Sequence, residues 1–268
     1  MMNKPLLPKE HGSWAMLTIP LLLGLIIAPA WHWRVLVLLV AAAGFFLVRH
    51  PLVTLIKTRK RASVGKAALR QWAAIYGGIT ILSSGWLILA QGLWWLAMMG
   101  LVGSMLLLFN LWLVSHRQEM SVAGELAGIA GLALGAPMGY YVASGQLDST
   151  AAALWLLNAL YFGGTVFYVK LKVRQQPRLP VPNCLSERLI KAKACLAYQT
   201  IALTLIILLV TLQQAPLLTP LALAPATLKM LYGAWRWQDK KSLNMVRLGV
   251  VEIFHAVAFA GLVVVVFR

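Results

Sequence analysis

Long apolar runs, broken by short polar stretches, fill nearly the whole chain, and nine of them can be drawn: residues 13–30, 35–48, 72–90, 93–114, 122–143, 151–169, 195–212, 217–235 and 244–267. The runs are continuous rather than alternating, so they do not read as the strands of a membrane β-barrel, which switch polarity at every residue. A bilayer core offers no water to backbone amides, and helices satisfy those groups internally. The pattern therefore predicts an all-α, polytopic transmembrane bundle of about nine helices, forming a single domain over residues 1–268. The second run is short, and the eighth carries Pro220, Pro225 and Lys229, which softens its boundaries.

The polar breaks are not equivalent. With the N-terminus placed inside, Lys4 and Lys9 precede the first run. Arg49, Lys57, Arg59, Lys60, Arg61, Lys66 and Arg70 lie between the second and third. Arg117 lies between the fourth and fifth, and Lys170, Lys172, Arg174, Arg178, Arg188, Lys191 and Lys193 between the sixth and seventh. Lys229, Arg236, Lys240, Lys241 and Arg247 surround the eighth-to-ninth break, leaving only Arg34 and Arg268 of the 24 lysines and arginines outside. Such asymmetry orients a membrane protein with its basic loops in the cytoplasm. A bacterial inner-membrane location with a cytoplasmic N-terminus is expected. Trp31, Trp33, Trp94 and Trp95 then mark the outer interface, and Trp72, Trp235 and Trp237 the inner one, as aromatic belts do. Gln91-Gly92 joins two runs as a tight outer hairpin, so substantial loops, and any site for a water-soluble ligand, belong inside.

Composition supports this reading. The chain is 60% hydrophobic and 12% charged, whereas a soluble domain carries roughly 25% charged residues. A net charge of +17 would raise nucleic acid as a partner in a soluble protein. Here the charges sit between spans, and no nucleic-acid partner is expected. Ala28-Pro29-Ala30 resembles a signal-peptidase site. The length of the first run and the leader's Lys9, Glu10 and His11 favour a retained span instead. Cys184 and Cys195 fall in or beside one basic inner loop, where neither a disulfide nor a zinc site is expected.

Three clusters could carry chemistry. Pro8-Lys9-Glu10-His11-Gly12-Ser13-Trp14 sets an acid, an imidazole and a cation at the start of the first span. The structural explanation is an interfacial cap, with Trp14 as anchor. The functional one makes Glu10 and His11 an acid/base pair. Arg49-His50, His116-Arg117 and Lys170 with Lys172 end three spans on the inner side. Helix dipoles attract cations there. A ring of such cations would equally hold a phosphate, diphosphate or carboxylate head group. Within the membrane lie Glu125, near the start of the fifth span, and Glu252 and His255, spaced i, i+3 in the ninth. At the rise of an α-helix the last two stand roughly 12 and 16 Å along their span. Ionisable groups at such depth are expensive and mark functional sites by default. Lys229 is a partner within reach for Glu252, and Asn110 and Asn158 are expected to make interhelical hydrogen bonds. No metal-ligand spacing, phosphate loop or nucleophile elbow is present.

The opening Pro8-Lys9-Glu10-His11-Gly12-Ser13-Trp14-Ala15-Met16 resembles the start of the YwiC-like family of bacterial membrane proteins. The likeness continues through Arg49-His50-Pro51-Leu52 and Tyr168-Val169-Lys170-Leu171-Lys172. It implies a family and a membrane location, but no reaction. The layout also resembles that of UbiA-type prenyltransferases, with nine helices and large inner loops after the second and sixth. Val114-Ser115-His116-Arg117 followed by Gly124-Glu125-Leu126-Ala127-Gly128 looks like their fourth-to-fifth connection. That resemblance implies Asp-rich motifs holding Mg²⁺ and a prenyl diphosphate in the two large loops. At those places this chain carries Arg49 to Lys57 and Lys170 to Arg174, without an aspartate. Magnesium needs hard oxygen ligands, so metal-assisted ionisation is not expected. No cofactor is assigned.

The expected function is binding, or modification by transfer, of an isoprenoid-like or other amphipathic ligand with an anionic head at the cytoplasmic face. Trp14, Arg49, His50, Arg117, Glu125, Lys170, Lys172, Glu252 and His255 would bind it, with Glu10 and His11 as catalytic candidates. A proton-coupled permease built on Glu252, His255, Glu125 and Lys229 is one alternative. A non-catalytic assembly factor for a membrane complex is another.

Overall fold

The structure, a computed structural model, describes residues 11–59, 65–237 and 245–268. The described residues form helices and connecting turns, without a strand. Seven helical stretches are long and apolar enough to cross a bilayer: Arg34–Lys57, Lys66–Leu89, Trp95–Ser115, Val122–Ser144, Ser149–Gln175, Lys193–Thr211 and Val246–Phe267. The chain is thus an all-α, multi-pass membrane protein. The first and eighth of the nine predicted spans are helical but shorter. By internal packing the chain divides into two compact units, Met1–Ala151 and Ala152–Arg268.

The first unit holds α1 (His11–Ile27), α2 (Arg34–Lys57), α3 (Lys66–Leu89), α4 (Trp95–Ser115), α5 (Val122–Ala133) and α6 (Gly135–Ser144). Small residues let its helices approach, as they do where lipid offers no hydrophobic drive. Gly24 of α1 sits against the backbone of Ala136 in α6, where a Cβ would overlap the Ala136 carbonyl. One turn on, a Cβ at Gly139 would lie 2.8 Å from the Leu21 carbonyl oxygen. Between α2 and α3 the Thr80 hydroxyl donates to the Tyr76 carbonyl at 2.9 Å and reaches the Ala41 carbonyl at 3.4 Å.

Two expected boundaries need correction here. The second span was expected to end at residue 48, with Arg49, His50 and Lys57 in a loop. Instead α2 runs through buried Pro51 to Lys57. Leu52, Val53, Leu55 and Ile56 keep an apolar face beyond the first cation, so Arg49 does not mark a helix end. Lys66 and Arg70, also expected in that loop, open α3. The fifth span is jointed at Leu134, where α5 passes into α6 ahead of Pro137.

The turn after α4 is also unusual. The Arg117 amide donates to the Val114 carbonyl at 3.0 Å, and the Gln118 amide to the Leu113 carbonyl at 2.8 Å. Those two bonds make a Schellman cap, whose left-handed position is usually glycine. Arg117 occupies it, at φ 59°. Gln213 does the same after the helix Lys193–Thr211, at φ 57°.

The second unit is built on α7 (Ser149–Lys170), which widens into a π-helical turn at Leu171–Gln175. It continues with α8 (Leu185–Lys191), α9 (Lys193–Thr211), a 3₁₀ turn (Thr219–Leu223), α10 (Ala224–Trp235) and α11 (Met245–Phe267). The eighth predicted span, residues 217–235, therefore starts as 3₁₀ and has only 12 α-helical residues. Pro220 and Pro225 lack the amides a continuous α-helix would need there. The core of this unit is aromatic. Tyr161 of α7 stacks on Phe259 of α11 at 3.9 Å between centroids, and Phe167 stacks on Tyr198 of α9 at 4.5 Å.

Candidate functional site

Arg49 of α2 is exposed, yet its position is fixed. Its Nε donates to Asn110 Oδ1 on α4 at 3.1 Å, and Asn110 Nδ2 donates to the Gly124 carbonyl in α5 at 3.1 Å. Asn110 is only 3% exposed, and it satisfies both ends of its amide, as a polar group in an apolar core must. The guanidinium is thus anchored through one nitrogen to α4 and, by way of Asn110, to α5. Among the described residues its two terminal nitrogens take no other acceptor. They are the pair that grips carboxylates and phosphates in a bidentate fork. Arg49 also lies three residues from Phe46, on the same face of α2. The Phe46 ring meets Trp14 of α1 edge-on at 4.9 Å. A cation with an aromatic pair beside it, all in the first unit, is what an amphipathic anion needs.

The other predicted residues of this unit are placed as follows. His50 is half-buried, and its carbonyl accepts from the Thr54 hydroxyl at 2.9 Å. Glu125 is half-buried in the first turn of α5, behind the Ser121 cap, which accepts from the Gly124 amide at 3.1 Å. Arg117 is exposed at its left-handed turn. Lys57, four residues from Val53 on the last turn of α2, pairs with Glu119 at 2.7 Å. His116 Nδ1 donates to the Trp112 carbonyl at 2.9 Å. Glu10 lies outside the described residues, as does the side chain of His11, the residue that opens α1.

In the second unit Lys229 of α10 and Glu252 of α11 form an ion pair at 2.7 Å, as expected of two ionisable groups within apolar spans. The Lys229 ammonium also lies 4.8 Å from the ring centre of Tyr168, within cation–π range. Glu252 Oε1 and the Tyr161 hydroxyl are buried without a partner among the described residues. One turn beyond Glu252, His255 Nδ1 bonds the Val251 carbonyl at 2.8 Å. A carbonyl only accepts, so Nδ1 carries the proton, and in a neutral ring Nε2 is the acceptor. His255 lines an open groove of about 280 Å³ with Pro225, Phe254 and Ala258.

Lys170 is half-buried at the end of α7. Lys172, in the π turn, is 6% exposed. Its ammonium donates to the Gly233 carbonyl at 3.4 Å and the Arg236 carbonyl at 3.3 Å, joined by Gln176 Nε2 to Gly233 at 2.9 Å. These are the carbonyls that the end of α10 leaves without intrahelical donors. Lys172 is thereby engaged as a helix cap. Sequence reasoning gave no site role to Tyr161, Tyr168 or Gln176. Tyr161 and Tyr168 are seven apart, two turns on one face of α7, and that spacing was the available signal. No three His, Cys, Asp or Glu side chains gather as a metal site among the described residues.

A family model described as YwiC-like protein matches residues 7–140. The span includes Trp14, Arg49, His50, Arg117 and Glu125. A protein of Bacillus subtilis (strain 168), described as uncharacterized protein YwiC, is 29% identical over 177 residues, covering 65% of this chain and 69% of its own length. A protein of Haemophilus influenzae, described as uncharacterized, is 25% identical over 178 residues, covering 65% and 71%. No solved structure matches.

Proposed function

The chain belongs to the YwiC-like family, and from that premise we propose that it binds an amphipathic ligand whose anionic head is held by Arg49 at the cytoplasmic face of the plasma membrane. The observation that carries this is the anchoring of Arg49 through Nε to buried Asn110 at 3.1 Å. A flexible arginine loses side-chain entropy when it grips a ligand. One already pinned through Nε has lost part of that freedom beforehand, while keeping its bidentate edge. Phe46 and Trp14 offer the apolar contact for the tail. The orientation rests on the basic residues, all but Arg34 and Arg268 of which face one side when the N-terminus is inside. The head group needs no metal in this reading.

The test is native mass spectrometry of protein purified in mild detergent, with solvent extraction of anything retained. The wild type is expected to carry a stoichiometric amphipathic acid. Arg49→Ala should lose it, while Lys57→Ala, whose ammonium is engaged by Glu119, should keep it. Equal retention by all three proteins, or bulk phospholipid alone, would count against the reading.

A second reading is favoured by the Lys229–Glu252 pair at 2.7 Å with His255 one turn away. A half-buried carboxylate that can exchange a lysine for a proton would suit a proton-coupled permease. Pyranine-loaded proteoliposomes, challenged with a panel of amphipathic acids, would report coupled proton entry. Entry that survives Glu252→Gln would remove this reading.

A further inference from the structure

Between α7 and α9, the segment 174–193 combines two features that conflict in water. Leu179, Val181, Leu185, Leu189 and Ile190 expose between 39% and 64% of their surface. Arg174, Arg178 and Lys193 are exposed beside them. In α8 Leu185, Leu189 and Ile190 lie on the exposed arc, with Ser186 between the leucines and the isoleucine, while Arg188 and Lys191 lie on the half-buried arc.

The polar side, not the apolar one, faces the rest of this unit. Arg188 Nη1 donates to the Trp235 carbonyl at the end of α10 at 2.9 Å. The Lys191 ammonium donates to the Pro180 carbonyl at 3.1 Å and lies 6.0 Å from the centre of the Trp237 ring. Those contacts turn the leucines outward. A loop bathed in water would place them the other way round, since each exposed leucine forgoes about 1.5–3 kcal/mol of burial. The segment joins the ends of two spanning helices and so lies at the level of the membrane surface. An apolar surface fringed by cations matches an interfacial helix on anionic lipid. Glu187, the segment's one acid, accepts from the Asn183 amide at 3.2 Å.

We propose that residues 174–193 lie on the bilayer surface, seat Leu185, Leu189 and Ile190 among acyl chains, and hold anionic phospholipid head groups with Arg174, Arg178 and Lys193. This does not rest on the Arg49 site, which belongs to the other unit. It requires only that α7 and α9 span the membrane.

Cys184 immediately precedes α8 and is exposed, whereas Cys195 is buried. A bimane attached to Cys184 of the full chain therefore reports on the segment. In nanodiscs of phosphatidylcholine containing phosphatidylglycerol, its emission should shift to the blue and be quenched by doxyl-labelled lipid. The Arg174→Gln, Arg178→Gln and Lys193→Gln variants should each lower phosphatidylglycerol retention about fivefold, the equivalent of about 1 kcal/mol per surface cation. These are exposed positions, and unchanged thermal unfolding would confirm that the fold is kept. A probe equally open to aqueous iodide with or without phosphatidylglycerol would overturn the proposal. So would Cys184-to-Cys184 cross-linked dimers without lipid quenching, which would assign the face to a second copy of the chain.

Discussion

The Lys229 ammonium stands 2.7 Å from Glu252 Oε2, and the lysine side chain is 3% exposed. Removing one partner of such a pair leaves the other charge largely buried and uncompensated, at a cost of about 3–5 kcal/mol. Lys229→Met and Glu252→Leu should each lower stability by that order. The double variant should recover most of the loss, because an apolar pair of similar volume carries no desolvation penalty. Thermal unfolding of the four proteins in one detergent measures the coupling. Additive losses would show that the two charges do not depend on each other.

Gly24→Ala tests the approach of α1 to α6. The new methyl would meet the Ala136 carbonyl, and a helix pair forced apart in a packed core costs about 1–3 kcal/mol. Gly85→Ala is the matched control, since no atom lies within 4 Å of the position its Cβ would take. There the better helix propensity of alanine should stabilise by up to about 1 kcal/mol. Opposite signs for the two variants are expected in the same unfolding assay. A gain at both positions would contradict the packing of α1 on α6.

Much of this was legible in advance, for identifiable reasons. Lys229 and Glu252 stood out because ionised groups are rare in apolar spans, so a lone cation and a lone acid in neighbouring helices point to each other. Asn110 was expected to bond between helices, and does; Asn158, expected to do the same, instead donates to the Leu154 carbonyl of its own helix at 2.8 Å. That its partner is Arg49 was not visible, because sequence shows the face of a helix but not the depth at which it meets its neighbours. The first cation after an apolar run was read as the end of α2, yet membrane helices carry cations in their last turns. The spacing of Gly135 and Gly139 was in plain sight. Gly24, more than a hundred positions away, could be matched to them only through the packing of α1 on α6.

Arg117→Gly separates structure from function at one turn. An L-residue in the left-handed region costs roughly 1–2 kcal/mol, which glycine does not incur. The variant should therefore unfold at a higher temperature. If Arg117 also touches a ligand head group, the same protein should lose bound ligand in native mass spectra. Unaltered stability would mean that the Arg117 side chain offsets its own backbone strain through contacts of its own.

The two thiols should react very differently. The Cys184 thiol lies 3.0 Å from the Ser186 hydroxyl. That hydrogen bond, followed by the Glu187 amide, favours the thiolate and holds its pKa below the ordinary cysteine value. Alkylation by a maleimide rises with the thiolate fraction. Its rate should reach half-maximum at a lower pH than for a free cysteine, and Ser186→Ala should move that midpoint upward. Cys195 should stay unmodified until the protein unfolds. Mass spectrometry of time points across a pH series reads both. A midpoint unmoved by Ser186→Ala would rule out the hydroxyl as its cause.

The wide turn at Leu171–Gln175 makes the α7 continuation sensitive to length as well as to composition. A π turn accommodates one residue more than an α turn, and one residue corresponds to about 100° of rotation in an α-helix. Deleting a single residue there would let the chain relax into ordinary helix at nearly the same phase, whereas inserting one more would turn everything after it by about 100°. Lys172 and Gln176 would then no longer point together at the end of α10. The segment works as a phase adjuster, and a single-residue insertion at 171–175 should disrupt the protein more than a single-residue deletion there.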